Sequence, residues 1–223
     1  MNVHSQLCSR RIPDVTASIA PADLRSAKII GSIRQVFAEK GFDGASMQDL
    51  ARAAEMSVGN FYRYFPSKAA IVEALVTQDL ATMEQEFAAI IGAPQPMQRL
   101  RATLEGRIHC HICADDGPIW AEITAAALRK AEIGTIVSHM EAEIIGYLIA
   151  VFARDTGLDP ATVRQRYQTH AELVVLLVKA SAMQKSEPGD GRDKLIALTV
   201  RMINRILDEV SGATTPNPAE SPL

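Results

Sequence analysis

The sequence predicts an all-α fold, with an N-terminal three-helix helix-turn-helix domain, a larger C-terminal helical domain, and eight to nine helices in total. Apolar residues recur at helical spacing along most of the 223 residues, and no segment shows the alternation expected of a strand. Two short helical segments joined by a tight connection lie between Ser46 and Lys68. Pro94 and Pro96 then interrupt the pattern, because proline cannot continue a helix.

Start and stop signals place the helices. The first is predicted at 22–40, because Gly41 follows it as a stop. The second begins after Ser46, whose hydroxyl caps the helix while Asp49 completes a capping box. The third spans 57–64. The remaining helices are predicted at 68–91, 97–113, 118–130, 132–155, 160–185 and 190–210.

The same signals divide the chain into four parts. Residues 1–21 are predicted to be a mobile arm, because they lack periodicity and contain prolines. Residues 22–68 form the predicted helix-turn-helix domain and residues 69–210 the larger helical domain. Residues 211–223 are rich in Pro, Ser and Thr, which predicts a disordered tail.

The composition is that of an ordinary globular protein, with 48% hydrophobic and 22% charged residues. Unbroken apolar runs such as 173–178 are far shorter than the roughly 18–20 residues of a membrane span. Residues 1–21 are polar and do not resemble a signal peptide. Three cysteines, Cys8, Cys110 and Cys113, do not make a disulfide framework. The sequence therefore predicts a cytoplasmic protein that does not enter a membrane.

Charge is distributed unevenly along the chain. The net charge is −3, but residues 1–68 hold nine Lys and Arg against six Asp and Glu, whereas the remainder holds 14 against 20. The basic excess thus falls on the helix-turn-helix part, as contact with phosphates requires. An excess of this size also arises by chance, so the charge alone does not decide the function.

The segment from Ser46 to Lys68 has the features of a DNA reader. In a helix-turn-helix, the second helix presents its N-terminal end to base edges while the first braces it. Leu50 and Ala51 lie on the predicted bracing side, and Gly59 keeps the backbone slim at the groove. An ordinary helical hairpin with a solvated aromatic patch is the alternative.

Aromatic and basic residues alternate at the end of the second short helix. Phe61 and Phe65, four residues apart, share a face that we expect to be buried, which turns the residues between them outward. Asn60 and Arg63 have heads that can read base edges. Tyrosine hydroxyls, Lys68 and the following helix N-terminus suit phosphate.

Three segments together resemble the N-terminal signature of the TetR family of transcriptional regulators. They are FAEKGF at 37–42, SMQDLARAA at 46–54 and SVGNFYRYFPSK at 57–68. The resemblance covers about residues 24–70. It implies an all-α homodimer with an N-terminal DNA-binding domain and a larger C-terminal domain for ligand binding and dimerisation. Many members are repressors that a small molecule releases from DNA.

The resemblance also implies which residues contact a double-stranded DNA operator. Two of these positions depart from the family pattern, which often has a basic or polar residue at Val58 and a histidine at Arg63. Val58 suits a thymine methyl group and Arg63 suits guanine or a phosphate, so the operator sequence does not follow. The predicted DNA contacts are Ser46, Met47, Ser57, Val58, Asn60, Tyr62, Arg63, Tyr64 and Lys68.

The last two predicted helices, 160–185 and 190–210, carry broad apolar faces. Such faces serve either the core of one chain or a four-helix interface between two copies, and periodicity does not separate these uses. The family resemblance favours a homodimer, which would set two recognition helices about 34–36 Å apart, one turn of DNA. The apolar faces comprise Leu173, Leu176, Leu177 and Ala180 on the first helix and Leu195, Leu198, Met202, Ile206 and Val210 on the second.

A small-molecule effector of unknown identity would need an apolar cavity between helices of the larger domain. The same residue types also occur in the core of any helical domain. The sequence therefore suggests which residue types would line a cavity but does not locate the cavity. The predicted lining is Met83, Phe87, His109, Cys113, Trp120, Ile123, Met140, Ile144 and Tyr147.

A cluster of His and Cys, followed by two acidic residues, suggests an alternative sensor. Cys110 and Cys113 are three apart on a predicted helix, and His109 lies four before Cys113, a spacing that suits a shared metal or a redox switch. No second cluster completes a tetrahedron, and buried cysteines commonly serve as small hydrophobic residues. We predict no metal and no cofactor.

The least favoured alternative is a metal-dependent enzyme that uses the same cluster. It would recruit His109, Cys110, His111 and either Asp115 or Asp116, but no nucleophile and base stand beside it. The sequence thus predicts a DNA-binding regulator that is not an enzyme, most simply a repressor released from a palindromic operator by a small molecule, with a redox- or metal-sensing regulator as the alternative.

Overall fold

The computed structural model describes residues 21–111, 116–184 and 189–212, and within them it contains nine α-helices and no strand. The all-α prediction is therefore confirmed. The helices are α1 (Pro21–Lys40), α2 (Met47–Ala53), α3 (Val58–Tyr64), α4 (Lys68–Ile91), α5 (Pro96–His111), α6 (Asp116–Arg129), α7 (Ala131–Thr156), α8 (Pro160–Met183) and α9 (Asp190–Gly212).

The helix ends follow local signals that the sequence displays. Pro96 opens α5 and Pro160 opens α8, positions where the missing N–H of proline costs nothing. Asp159 caps α8 by accepting hydrogen bonds from the backbone N–H groups of Ala161 and Thr162, at 3.1 and 3.0 Å. Gly41 ends α1 with a φ of 74°, a conformation that favours glycine.

Both predicted terminal segments overlap helices at their inner ends. Pro21 already belongs to α1, and Ser211 and Gly212 still belong to α9. The rest of the predicted arm, residues 1–20, and of the predicted tail, residues 213–223, lies outside the described residues.

Contacts divide the described chain into two units. Unit 1 comprises residues 21–75 and 116–135, and unit 2 comprises residues 76–111, 136–184 and 189–212. Helix α6 thus belongs with the helix-turn-helix segment, although more than 40 residues separate them in sequence. The domain boundary predicted at residue 68 separates a DNA-binding part from a ligand-binding part, and it remains a prediction.

Unit 1 is held together by a small core of large apolar side chains. α1 packs against α2 and α6, and α2 packs against α3. The rings of Phe37 and Phe42 stack with their centroids 5.5 Å apart. Residues with no measurable exposure in this core include Ile33, Phe37, Leu50, Ala51, Phe61, Ile71, Leu75 and Ala126.

Unit 2 is a helical bundle in which α5, α8 and α9 pack on one another. Its core includes the fully buried Leu100, Phe152 and Leu207. The Arg101 guanidinium on α5 is bound to α9, because it donates to the Asn204 carbonyl oxygen at 2.9 Å and to Asp208 at 2.7 Å.

One described helix, α7, is long and apolar enough to cross a membrane by length and composition alone. Core helices of soluble proteins pass the same test. The buried residues Leu148, Ile149 and Phe152 of α7 belong to the apolar core of unit 2, which is an ordinary reason for its apolar composition.

Candidate DNA interface

The predicted capping box at the start of α2 is confirmed. The Ser46 hydroxyl accepts a hydrogen bond from the Asp49 N–H at 3.1 Å, and the Asp49 carboxylate accepts one from the Ser46 N–H at 3.0 Å. The Lys40 ammonium lies 2.7 Å from the same carboxylate. The hydrogen bond from Lys40, followed by those from Ser46, holds the pKa of Asp49 well below its ordinary value. These bonds join the end of α1 to the start of α2.

The turn between α2 and α3 closes on two backbone hydrogen bonds. The N–H of Glu55 donates to the carbonyl of Arg52 at 3.1 Å, and the N–H of Met56 donates to that of Ala51 at 2.9 Å. This pair of hydrogen bonds requires a residue in the left-handed conformation just after the helix, and Glu55 adopts it with a φ of 56°. The turn sets the direction in which α3 leaves α2.

Helix α3 presents a polar and aromatic face to solvent. Ser57 caps it, accepting from the Asn60 N–H at 3.3 Å. Phe61 is fully buried and its ring lies 5.1 Å from that of the half-buried Phe65, as expected. Because these two face inward, the residues between them are exposed, including Tyr62 at 47% and Tyr64 at 67%.

Most predicted DNA contacts are thus accessible on one short segment. The exposed members are Ser46, Ser57, Val58, Tyr62, Arg63 and Tyr64. Met47, Asn60 and Lys68 are half-buried. Whether each touches DNA remains a prediction.

The structure gives Lys68 a second role that the sequence does not suggest. Its ammonium donates to the backbone carbonyl oxygens of Phe42 at 2.7 Å and Asp43 at 3.0 Å. Burial lowers the pKa of Lys68 from its ordinary value, while the charge of Asp43 opposes this change. The lysine therefore braces the turn after α1, and its part in phosphate binding stays a prediction.

Sequence reasoning missed a polar junction between α6 and this same turn. The Glu122 carboxylate accepts a hydrogen bond from the Phe42 N–H at 2.9 Å. Asp43 forms ion pairs with Lys130 and, at 3.1 Å, with Arg129, and these partners, led by the hydrogen bond from Lys130, lower its pKa. No local signal could reveal these contacts, because the partners lie 80 to 87 residues apart.

The predicted pocket residues are distributed between the two units. Met83, Phe87, His109, Met140, Ile144 and Tyr147 belong to unit 2, Trp120 and Ile123 belong to unit 1, and Cys113 lies outside the described residues. Phe87 and Tyr147 stack with ring centroids 5.3 Å apart. Burial, and then the charges of Glu84 and Glu143, raise the pKa of Tyr147.

Unit 2 has a shallow recess elsewhere, and none of the predicted pocket residues lines it. It combines apolar side chains with a few polar ones. Its lining is Ile108, Ser181, Gln184, Arg192, Leu195, Ile196 and Thr199. The position of an effector pocket therefore stays a prediction.

Most of the His and Cys cluster lies outside the residues that the structure describes. His109 is exposed, and its Nδ1 lies 2.8 Å from the Glu105 carbonyl oxygen. Cys113 and Asp115 lie outside the described residues, as do the side chains of Cys110, His111 and Asp116. In the part of the chain that the structure describes, no three His, Cys, Asp or Glu side chains are grouped to hold a metal ion.

A capped two-helix unit with an exposed polar second helix, set in an all-helical chain, defines the class of helix-turn-helix DNA-binding proteins. Residues 29–75 match the family of bacterial regulatory proteins called the tetR family. The chain thus contains the N-terminal region that characterises the TetR family of regulators.

Known relatives agree with this assignment. The chain is 36% identical over 133 residues to the HTH-type transcriptional regulator UidR of Escherichia coli K12, an alignment that covers 54% of this chain and 61% of UidR. It thus spans less than two thirds of that relative. Among solved structures, Salmonella enterica GusR superposes with a TM-score of 0.68 at 20% identity, covering 87% of this chain and 98% of GusR.

A second solved structure shares the fold. AibR, solved in complex with isovaleryl coenzyme A and operator DNA, superposes with a TM-score of 0.58 at 18% identity, covering 81% of this chain and 97% of AibR. At such identities the likeness concerns the fold.

Proposed function

We propose that the protein is a sequence-specific DNA-binding transcriptional regulator, and that it represses genes from a palindromic operator until a small molecule releases it. The observation that carries the proposal is the exposed face of α3, where Val58, Tyr62 and Arg63 are accessible while Phe61 is fixed in the core. A helix that reads bases must be held rigidly by the core and must expose side chains that can contact base edges.

A homodimer supports the reading of a palindrome. Leu173 and Leu176 on α8 are 42% and 59% exposed, and Leu195, Leu198 and Met202 on α9 are between 41% and 46% exposed. Large apolar side chains are costly to leave in water. A second copy of unit 2 is the partner that the family favours for this face. Ile206 and Val210, which the sequence grouped with them, are buried in the core of their own chain.

Similarity to AibR, whose structure holds isovaleryl coenzyme A together with operator DNA, supports a regulator that responds to a small molecule. The chemical identity of the effector for this chain does not follow from that likeness. As a member of a regulator family the protein is proposed not to be an enzyme, and it would act in the cytoplasm, where DNA is accessible.

The test is a footprint on the DNA that flanks its own gene. A protected palindrome is expected, and uniform binding to any duplex of equal length would refute sequence-specific regulation. Affinity should fall steeply with salt, because phosphate contacts release counterions.

Two variants assign the docking surface. Tyr62→Phe removes one hydroxyl and should weaken binding to all duplexes alike, as a phosphate contact does. Arg63→Ala should change the preferred sequence, with a discrimination loss of about 1–3 kcal/mol at the affected base pair. If neither variant alters binding, α3 does not face DNA as proposed.

A further inference from the structure

We propose that Glu122 of α6 is a positioning residue of the DNA interface. Its carboxylate fixes the turn at residues 41–43, and through this turn and Lys68 it fixes the ends of α1 and α4 that adjoin the helix-turn-helix. The inference rests on the proposed function and concerns how unit 1 becomes competent to bind DNA.

The first step is the burial of the group that Glu122 binds. Phe42 is only 2% exposed, and its N–H follows the end of α1. Glu122 accepts from this N–H at 2.9 Å, so the carboxylate satisfies a donor that is otherwise costly to leave unpaired. The bond therefore selects one arrangement of the turn.

Gly41 shows how closely Glu122 approaches the turn. Its φ is 74°, and a Cβ at this position would lie 2.9 Å from a carboxylate oxygen of Glu122. A side chain at residue 41 would therefore displace the Glu122 carboxylate from its present position. This close fit makes the position of α6 and the shape of the turn depend on each other.

The second step is the connection from the turn to α4. The carbonyl oxygens of Phe42 and Asp43 both accept from the Lys68 ammonium, and Lys68 is the first residue of α4. Lys68 follows the exposed Tyr62–Tyr64 segment by only a few residues. A shift of the turn would therefore move the anchor that fixes the chain just after α3.

The third step is that α6 holds the turn at a second point. Asp43 pairs with Arg129 and Lys130 at the end of α6 and just beyond it. The Lys130 ammonium lies 4.9 Å from the centroid of the Phe42 ring, which adds a cation–π contact. The turn is thus held by Glu122 near the middle of α6 and by basic residues at its end.

The experiment compares Glu122→Ala, which removes the acceptor, with Glu122→Gln, whose amide oxygen can still accept from the Phe42 N–H. Glu132→Ala is the matched control, because Glu132 is an exposed glutamate of the same unit. Each protein is titrated with the duplex protected in the footprint and with a scrambled duplex of equal length. Hydrogen exchange of residues 41–45 and thermal unfolding are measured on the same samples.

We expect Glu122→Ala to weaken binding to the protected duplex by about tenfold, the equivalent of one hydrogen bond to a charged group, with the scrambled duplex unaffected. Glu122→Gln and Glu132→Ala should bind within about twofold of the wild type. The Phe42 amide should exchange faster in Glu122→Ala alone. Because thermal unfolding is measured on the same samples, weaker binding by Glu122→Ala at a temperature where it is still fully folded separates positioning from a loss of stability.

Three results would overturn the inference. They are wild-type affinity of Glu122→Ala for the protected duplex, equal weakening by Glu122→Gln, and unchanged exchange of the Phe42 amide in Glu122→Ala. A wild-type protein that binds both duplexes equally refutes the proposed function itself, and the exchange data then still report whether the Glu122 contact forms.

Discussion

At the scale of single residues, the turn between α2 and α3 contains backbone strain at Glu55. Its φ of 56° lies in the left-handed region, which costs a residue with a side chain about 1–2 kcal/mol relative to glycine. The turn accepts this cost because two backbone hydrogen bonds, to Ala51 and Arg52, close only in this geometry.

We expect Glu55→Gly to raise the free energy of unfolding by about 1 kcal/mol, since it removes the strain. Glu55→Ala is the control, because it removes the carboxylate and retains the strain. Urea denaturation of both variants measures the difference. Equal stability of the glycine and alanine variants would contradict the strain at this turn.

Another residue-scale constraint is the pair of glycines in and after α1. Gly31 has open space where a Cβ would stand, whereas a Cβ on Gly44 would run into the Lys40 carbonyl oxygen. Gly31→Ala should therefore stabilise α1 by about 0.5–1 kcal/mol, while Gly44→Ala should destabilise unit 1 by at least as much. Thermal unfolding shows whether each substitution raises or lowers the stability. A stabilising Gly44→Ala would show that the turn can move away from the carbonyl.

At the scale of elements, α3 must satisfy both the core and the proposed DNA surface. Gly59 lowers its intrinsic helix propensity, and a Cβ at this exposed position would meet no protein atom within 4 Å. The structure of the protein alone thus gives no reason for glycine here, whereas close approach to a DNA groove would.

Gly59→Ala should therefore preserve or raise stability while weakening binding to the operator. Gly31→Ala is the matched control, since it makes the same change in another helix and should leave DNA binding unaltered. Unfolding and gel-shift titrations are measured together. Undiminished DNA affinity of Gly59→Ala would show that α3 does not bring its backbone close to DNA at this residue.

Helix α2 depends on a carboxylate, which gives its stability a pH dependence. The pKa of Asp49 is depressed in the folded protein from the ordinary value of 3.8, through its hydrogen bond from Lys40 and then those from Ser46. A group with a depressed folded pKa contributes stability fully above its unfolded pKa, and that stability is lost as the pH falls towards the folded pKa. The capping box should thus weaken below about pH 4.

Asp49→Asn should lower the stability at pH 7 and flatten its fall in acid, because asparagine does not titrate. Denaturation between pH 7 and pH 2 gives both quantities. Asp193→Asn serves as a control, since Asp193 is an exposed aspartate in α9 of unit 2. An acid limb equally steep in Asp49→Asn and wild type would contradict the proposed link.

At the scale of the whole molecule, the proposed homodimer depends on the exposed apolar face of α8 and α9. Leu173 and Leu176 lie one helical turn apart on α8, and both are exposed. On α9, Leu195, Leu198 and Met202 follow the same spacing. The two helices pack against each other, and obligate homodimers bury exposed apolar residues of this kind.

Leu176→Glu should convert the proposed dimer to a monomer, because it would place a charge in an apolar interface. Leu128→Glu is the control, since Leu128 is 86% exposed on α6 and lies in unit 1. Sedimentation equilibrium gives the mass of each variant. A monomeric wild type, or a dimeric Leu176→Glu, would contradict the proposed dimer interface on this face.

The sequence by itself determined the features that depend on neighbours within a few residues. Helix α4 begins at Lys68 and ends near Ile91 as predicted, and the cap at Ser46 and the inward turn of Phe61 form as the sequence indicates. Each rests on a hydrogen bond or a periodicity of three or four residues, so it is visible in the order of side chains.

Only the tertiary structure decided which distant elements meet. It groups α6 with the helix-turn-helix, places Glu122 on the Phe42 N–H, and turns the Lys68 ammonium to the backbone of the 41–43 turn. These hydrogen bonds join residues 25 to 80 positions apart. The local spacing of residue types cannot reveal them. An apolar face shows that a helix packs against something, but it does not specify which other helix covers that face.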